Sequence, residues 1–167
     1  MQIIENASLS LTTHITVHID AECPVSHAPG SFAAIIQLWE GPSRGFRHVI
    51  AASIGNTTKN RMEQKAAIAS MRFIRDTYAA AFPITVYSVS NYVADGMSLW
   101  LHKWKTKNWS SYDKSPVKNR DLWEALVDAA EGLRVEWKWL RSNLKDPDNK
   151  AVDALAKTEL ERYRSAT

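Results

Sequence analysis

Three acidic residues stand where their side chains could act together: Asp20, Glu63 and Asp153. Asp20 ends an alternating apolar segment, and the other two lie near the starts of amphipathic segments. Clustered carboxylates repel one another unless cations bind between them, and their oxygens suit Mg²⁺ or Mn²⁺. A pair of such ions can activate water and stabilise the leaving oxygen in phosphodiester cleavage. These acids are therefore candidate catalytic and metal-binding residues.

Each acid also has a simpler interpretation. Asp20 could turn the chain after a strand. Glu63 could be the N3 partner of Asn60 in a helix capping box. Asp153 could pair with Lys157 at i,i+4 on a solvated helix face. For each acid taken singly, spacing alone favours the simpler interpretation.

The segment from residue 97 to residue 120 could do a second kind of chemistry. It interleaves tryptophans with six basic residues and contains one acid, Asp113. The basic residues are Lys103, Lys105, Lys107, Lys114, Lys118 and Arg120. Trp100 and Trp104 share a helical face, and aromatic planes can pack against sugars or bases while lysines neutralise phosphates. We call this segment the basic handle and expect it to contact nucleic acid rather than form a solvated charged helix.

Composition limits the class of protein. The chain has 167 residues, 45% of them hydrophobic, and a net charge of +3. These numbers predict a single domain over residues 1–167, with residues 1–13 as an N-terminal extension. The single cysteine excludes an internal disulfide, and no apolar run approaches the length of a bilayer span. The first eleven residues lack the basic start of a secretory signal. We expect a cytoplasmic monomer with no membrane partner.

The elements that must position these residues follow from hydrophobic periodicity. The pattern predicts strands at 14–20, 32–39, 46–54, 84–89 and 133–140. It predicts helices at 60–79, 91–107 with a possible break near Leu101, 119–130 and 147–164. This order predicts an α/β domain with a mixed five-stranded sheet, in which two parallel strands follow three antiparallel strands, flanked by helices.

Residues 95–123, DGMSLWLHKWKTKNWSSYDKSPVKNRDLW, resemble the substrate-binding handle of bacterial type I ribonuclease H. The sequence TKNRMEQKAAIASM at 58–71 is similar to that family's helix with a metal-binding Glu. HIDAEC at 18–23 is similar to its first catalytic strand. The fragments WKWLRSN, PDN and DALA, within 137–156, look like its last strand, loop and C-terminal helix. The resemblance covers about residues 15–160.

The resemblance implies a ribonuclease H-like fold and hydrolysis of the RNA strand of an RNA–DNA hybrid with Mg²⁺ or Mn²⁺. Double-stranded nucleic acid is a second partner it allows. Asp20, Glu63 and Asp153 fall on three of the family's four acidic ligands. The residues it implies for substrate binding are Asn60, Asn91, Trp100, Trp104, Lys105, Lys107, Trp109 and Lys118.

Two positions that the family uses for catalysis carry a different residue in this chain. Val89 stands where the fourth acidic ligand is expected, and valine has no lone pair for a metal. Asn143 stands where the family has a mobile His, and Asn cannot titrate near neutral pH. Glu22 could restore the lost charge beside Asp20, but two strand steps span roughly 6–7 Å. We therefore favour a solvated loop acid for Glu22 over a metal ligand.

Two functions of different classes remain open at this point. One is a hybrid endoribonuclease with reduced activity, and the alternative is a catalytically inactive protein that binds hybrids. A protein-interaction module on the same fold is a third. Val89 and Asn143 indicate reduced activity, whereas the three retained acids indicate a working site, because clustered buried carboxylates are costly without a metal.

Overall fold

Five strands form one mixed sheet in the computed structural model, which describes residues 12–141 and 145–167. The strands are β1 (Thr13–Glu22), β2 (Ala28–Glu40), β3 (Ser43–Thr57), β4 (Ile84–Ser88) and β5 (Val135–Trp139). Their order across the sheet is β3-β2-β1-β4-β5. β1, β2 and β3 pair antiparallel, whereas β1 with β4 and β4 with β5 pair parallel. The sheet expected from the sequence is confirmed.

The helices also follow the predicted order, with changes at their ends. They are α1 (Lys59–Tyr78), α2 (Asn91–Asp95), α3 (Leu101–Thr106), α4 (Arg120–Ala130) and α5 (Pro147–Ala166). A π-helical turn, Gly96–Trp100, joins α2 to α3. The break expected near Leu101 is this turn, in which the backbone stays helical but is locally wider. None of the helices within the described residues is long and apolar enough to cross a membrane.

Side chains of β1 alternate between two faces of the sheet, as a strand requires. Val17 and Ile19 face the main apolar core, which they share with Met62 of α1. Asp20 is paired with Ala33 of β2, so it lies on the opposite face. Ala33 packs there in a small cluster with residues of α5. The domain is therefore layered, with α1 and α5 on opposite sides of the sheet.

The start of α1 differs from the capping box expected at Asn60. Thr58 is the N-cap, and its hydroxyl accepts a hydrogen bond of 3.3 Å from the Arg61 N–H. Asn60 is instead an exposed residue of the first turn. The assignment of Asn60 and Glu63 to a capping box was wrong, because Thr58 is also a good N-cap and comes first. Glu63 is therefore not a capping residue.

The start of α5 is defined by side-chain capping. The Asp146 carboxylate accepts hydrogen bonds from the backbone N–H groups of Asp148 (2.8 Å) and Asn149 (3.0 Å). Pro147 occupies the first helical position, where its missing N–H costs nothing. This start places Asp153 in the second turn of the helix. Asn143 and the N-terminal residues 1–11 lie outside the described residues.

Candidate active site and nucleic-acid interface

Asp20 lies near the carboxyl end of β1, beside the end of β4. Ile19 pairs with Ser88, the last residue of β4. Val89 follows directly after β4, and continuing this register by one residue would bring it level with Asp20. In two parallel strands paired in this way, neighbouring residues point to the same face. A carboxylate at position 89 would thus be directed to the side of the sheet that carries Asp20.

The carboxyl group of Asp20 is buried, with only 4% of the residue exposed. The Ala21 N–H donates a 2.7 Å hydrogen bond to its Oδ1. Burial raises the pKa of Asp20, and the negative charges of Asp153 and Glu22 raise it further. The hydrogen bond from Ala21 and the positive charge of Lys59 oppose this rise without cancelling it.

Glu63, from the second turn of α1, is more deeply buried, with 1% of the residue exposed. Its Oε2 has no hydrogen-bond partner among the described residues. Burial raises the pKa of Glu63 to about 7, and the charge of Asp20 adds to the rise. A hydrogen bond from the Ser90 hydroxyl and the charge of Lys59 act in the opposite direction. Asp20 and Glu63 are therefore both buried carboxyl groups, and the charge of Asp20 acts on Glu63.

Asp153 reaches the same region from α5 but is held differently. Its side chain is 40% exposed, and Oδ2 accepts a 2.7 Å hydrogen bond from Lys157 Nζ. The i,i+4 pair considered from the sequence is therefore present. Within residues 12–141 and 145–167, no group of three or more His, Cys, Asp or Glu side chains is arranged to hold a metal ion. The three-ligand site stays a prediction.

The donor chemistry of this region nevertheless fits a divalent cation. Asp20 and Glu63 offer carboxylate oxygens, the ligands that Mg²⁺ prefers, and Glu63 Oε2 is buried with no partner in the part of the chain that the structure describes. Asp153 could join them after it leaves Lys157. A cation held by Asp20 and Glu63 would supply positive charge where phosphate charge develops during cleavage.

The end of β4 is tied to β5 and α2 by its own backbone and hydroxyls. The Val89 carbonyl accepts a 3.0 Å hydrogen bond from Trp139 Nε1. The Ser90 hydroxyl caps α2 by accepting from the Tyr92 N–H at 3.2 Å. The backbone at Val89 is therefore hydrogen-bonded to β5, and its side chain supplies no oxygen.

The basic handle presents a groove on one side. Trp100 and Trp104 lie on the same face, with ring centroids 5.8 Å apart, as predicted. Trp104 in turn contacts the buried Trp123, at 5.1 Å between centroids, which anchors the handle to the core. A groove of about 350 Å³ runs along this side, lined by Trp100, Lys103, Trp104, Lys107, Ser110 and Tyr112. Its aromatic walls and two ammonium groups suit a sugar-phosphate chain.

Lys105 lies on the other side of the handle. It lines a second depression with Trp109 and with three acids of α4 and the turn after it, Glu124, Asp128 and Glu131. Arg120 is stacked over the Trp109 ring, 5.3 Å from its centroid. The interleaved lysines therefore do not form one stripe. Asn60, Asn91 and Lys118 are exposed at the start of α1, at the start of α2 and just before α4.

Comparison with known proteins gives the family. A sequence model of the RNase H family matches residues 12–161. The chain belongs to the RNase H family. A ribonuclease H of Maricaulis maris (strain MCS10) is 35% identical over 150 residues, which cover 90% of this chain and 95% of that protein. The chain is thus a hydrolase of the ribonuclease H type by descent, and the family is generally dependent on divalent metal ions.

Solved structures of RNase H proteins share the fold. LC9-RNase H1, described as a type 1 RNase H with the type 2 active-site motif, has a TM-score of 0.78 and 27% identity. The match covers 90% of this chain and 73% of that one. LC11-RNase H1, solved in complex with an RNA/DNA hybrid, has a TM-score of 0.66 and 14% identity over 89% of this chain and 98% of that one.

Two residues of this RNase H site were missed from the sequence. Ser90 interacts with Glu63, and its only signal was its place as an N-cap beside Val89. Tyr112 lines the handle groove with 98% of its surface exposed. An aromatic residue in a polar loop was the available signal, because burial does not explain it.

Proposed function

We propose that this chain is a metal-dependent endonuclease that cleaves the RNA strand of RNA–DNA hybrids at a reduced rate. The observation that carries the proposal is the buried pair of Asp20 and Glu63, one of whose oxygens has no partner among the described residues. Two buried repelling carboxyls are costly unless a cation joins them.

Two features support a reduced rate. The Val89 side chain offers no oxygen directly after the last β1–β4 pair, Ile19 with Ser88. Asp153 is already engaged with Lys157. In our proposal Asp20 and Glu63 are the principal metal ligands, Asp153 joins them when it is released, and Glu22 remains an outer charge. Asn143 as a replaced proton-transfer residue stays a prediction.

The basic handle supports hybrid binding. Its groove combines tryptophan rings with Lys103 and Lys107, which would track the phosphates of one strand. LC11-RNase H1, which shares the fold, was solved with an RNA/DNA hybrid. We propose the same partner class here, with double-stranded nucleic acid as a weaker ligand. The single cysteine is compatible with a reducing compartment, and we propose a cytoplasmic monomer.

The alternative is a hybrid-binding protein that does not cleave. The absence of an oxygen at Val89 and the Lys157–Asp153 ion pair favour it. In that case the basic handle would keep its affinity for hybrids, while the carboxyl groups of Asp20 and Glu63 would remain as a decayed site.

A cleavage assay on an end-labelled hybrid, in Mg²⁺ and separately in Mn²⁺, distinguishes the two functions. We expect slow cleavage by the parent and none by Asp20→Asn, with hybrid still bound by both because the handle is unaltered. Asp76→Asn, an exposed acid of α1, is the matched control and should cleave like the parent. Equal rates for parent and Asp20→Asn, with hybrid bound by both, would establish the alternative.

A further inference from the structure

Lys157, in α5, brings a positive charge close to the carboxylates of Asp153, Glu22 and Asp20. Its Nζ lies 2.7 Å from Asp153 Oδ2. Its ammonium also interacts electrostatically with Glu22 and Asp20. The side chain is 56% exposed, so water reaches the ammonium on its outer side.

The docking of α5 places this ammonium over the end of β1. Val152, next to Asp153, packs in a cluster with Ala33, whose partner in β1 is Asp20. One turn later, the Ser31 hydroxyl donates a 2.6 Å hydrogen bond to the Ala156 carbonyl. Ser31 is the β2 partner of Glu22. These two attachments, four helix residues apart, keep residue 157 beside Glu22.

We propose that Lys157 is a resident cation of the active site, which neutralises Asp153 and Glu22 and confines divalent metal to the Asp20–Glu63 side. A metal ion that bound Asp153 would have to displace the ammonium and would be repelled by it. We therefore expect the parent protein to bind one divalent ion more strongly than any second ion. This inference rests on the metal-dependent function proposed above.

The strength of the effect follows from exposure. An i,i+4 ion pair in contact with water is weak, so a metal ion can still displace the ammonium from Asp153. Repulsion between the ammonium and the ion adds to the cost of the broken pair. Lys157 therefore lowers metal affinity and occupancy without abolishing them.

Mn²⁺ binding, followed by electron paramagnetic resonance at one pH, tests this without using catalysis. For Lys157→Met we expect Mn²⁺ affinity to rise roughly three- to tenfold, or a second ion to bind, because a repulsive charge and a competing pair are lost. Lys157→Arg keeps the charge and should bind Mn²⁺ like the parent. Lys150→Met removes an exposed charge from the same helix and should change the affinity less than about twofold.

A second comparison tests whether Lys157 affects Mn²⁺ affinity through its ion pair with Asp153. In an Asp153→Asn background, Lys157→Met should lose most of its effect, because the competing pair is already gone. An undiminished effect in that background would overturn the inference. So would equal Mn²⁺ affinity and number for Lys157→Met and the parent, an equal gain in Lys150→Met, or no Mn²⁺ bound by any variant.

The outcome is separable from that of the proposed function. If Mn²⁺ binding responds to Lys157→Met as expected but no variant cleaves hybrid, the resident cation stands and the nuclease proposal fails. Lys157 is largely exposed, so the variant should fold, and its unfolding midpoint verifies this before metal is added.

Discussion

Glu63 shows how one residue couples the site to the stability of the fold. Its pKa of about 7 is caused first by burial and then by the nearby charge of Asp20. The protonated form is therefore favoured in the folded protein, whereas in the unfolded chain the group titrates near its ordinary value of 4.5. The folded state binds the extra proton between these two values, so this contribution to stability is present below pH 4.5 and is lost as pH rises through 7.

Glu63→Gln should remove this pH dependence. Without metal, the parent should lose about 2–3 kcal/mol of unfolding free energy relative to the Gln variant between pH 5 and pH 8, because the amide does not ionise. Urea denaturation in a chelator, at both pH values, measures the difference. Glu124→Gln, an exposed acid of α4, is the control. A parent and a Gln variant with parallel pH profiles would show that Glu63 is not held protonated.

Val89 is the residue where one substitution should change the rate most. Val89→Asp adds a carboxylate beside Asp20 and should raise hybrid cleavage by about 10²-fold, which equals roughly 2.7 kcal/mol of barrier. Initial rates on a labelled hybrid measure it. The control is Val89→Asn, because asparagine has nearly the same shape as aspartate but no charge. Its cleavage rate should rise far less.

Asp20→Asn in the Val89→Asp background should abolish the gain, because it removes the neighbouring ligand charge. A stable Val89→Asp protein that binds hybrid and Mn²⁺ yet cleaves no faster than the parent would contradict the prediction. The missing carboxylate would then not be the limiting defect, and the binding-protein alternative would gain support.

At the scale of elements, the π-helical turn determines where the basic handle lies. Gly96, the first residue of the turn, approaches the buried Trp123 so closely that a Cβ atom would lie 2.0 Å from the ring. Only glycine permits this contact, which brings the turn against the core. The handle groove then extends outward from Trp104, which also touches Trp123.

The two sides of the handle should differ in hybrid binding. Replacing Lys103 and Lys107 together by Ala should flatten the dependence of log affinity on log salt by up to about 1.8, since each phosphate contact contributes about 0.9. Lys105→Ala should flatten it less, because Lys105 lies among acids of α4. Hybrid dissociation constants at several salt concentrations measure the slopes, with Lys65→Ala, outside the handle, as control. An unchanged slope in the double variant would remove the groove from the interface.

At the scale of the whole molecule, ion pairs of a buried aspartate attach α5 to β3, the edge strand of the sheet. Asp148, in its first turn, accepts hydrogen bonds from Arg47 at 2.8 Å and Arg44 at 3.2 Å, both from β3. Burial raises the pKa of Asp148, but the two arginines outweigh burial and hold it below its ordinary value. Further along, the Ser53 hydroxyl donates to Glu159 at 3.0 Å. Asp153 and Lys157 lie between these attachments.

Removing the two arginines that bind Asp148 should destabilise α5 more than the rest of the domain. Arg44→Ala with Arg47→Ala leaves the Asp148 carboxylate buried and unpaired, which should cost about 2 kcal/mol of unfolding free energy. Amide exchange should accelerate in α5 more than in α1. The solvent-exposed Arg120–Glu124 pair is the matched control, and Glu124→Ala, which leaves Arg120 in place over Trp109, should cost less than about 0.5 kcal/mol. Uniform acceleration across both helices would show that α5 does not open separately.

The sequence by itself determined the sheet, the order of the helices and the family. Apolar periodicity is a local property, and each strand and helix carries its own pattern. The handle residues Trp100 and Trp104 shared a face for the same reason, since helical spacing alone brings them together. The start of α1 was misassigned because Thr58 and Asn60 are both good N-caps, and local sequence does not separate them.

The tertiary structure alone decided the state of the site. The burial of Glu63, the interaction of Lys157 with Glu22 and Asp20, and the two-sided handle all depend on residues far apart in the chain. Ser31 and Ala156, whose hydrogen bond holds α5 beside Glu22, are 125 positions apart. Desolvation and Coulomb interactions depend on distance in space, which local pattern does not encode. Sequence therefore identified the acids, and packing set their charge and partners.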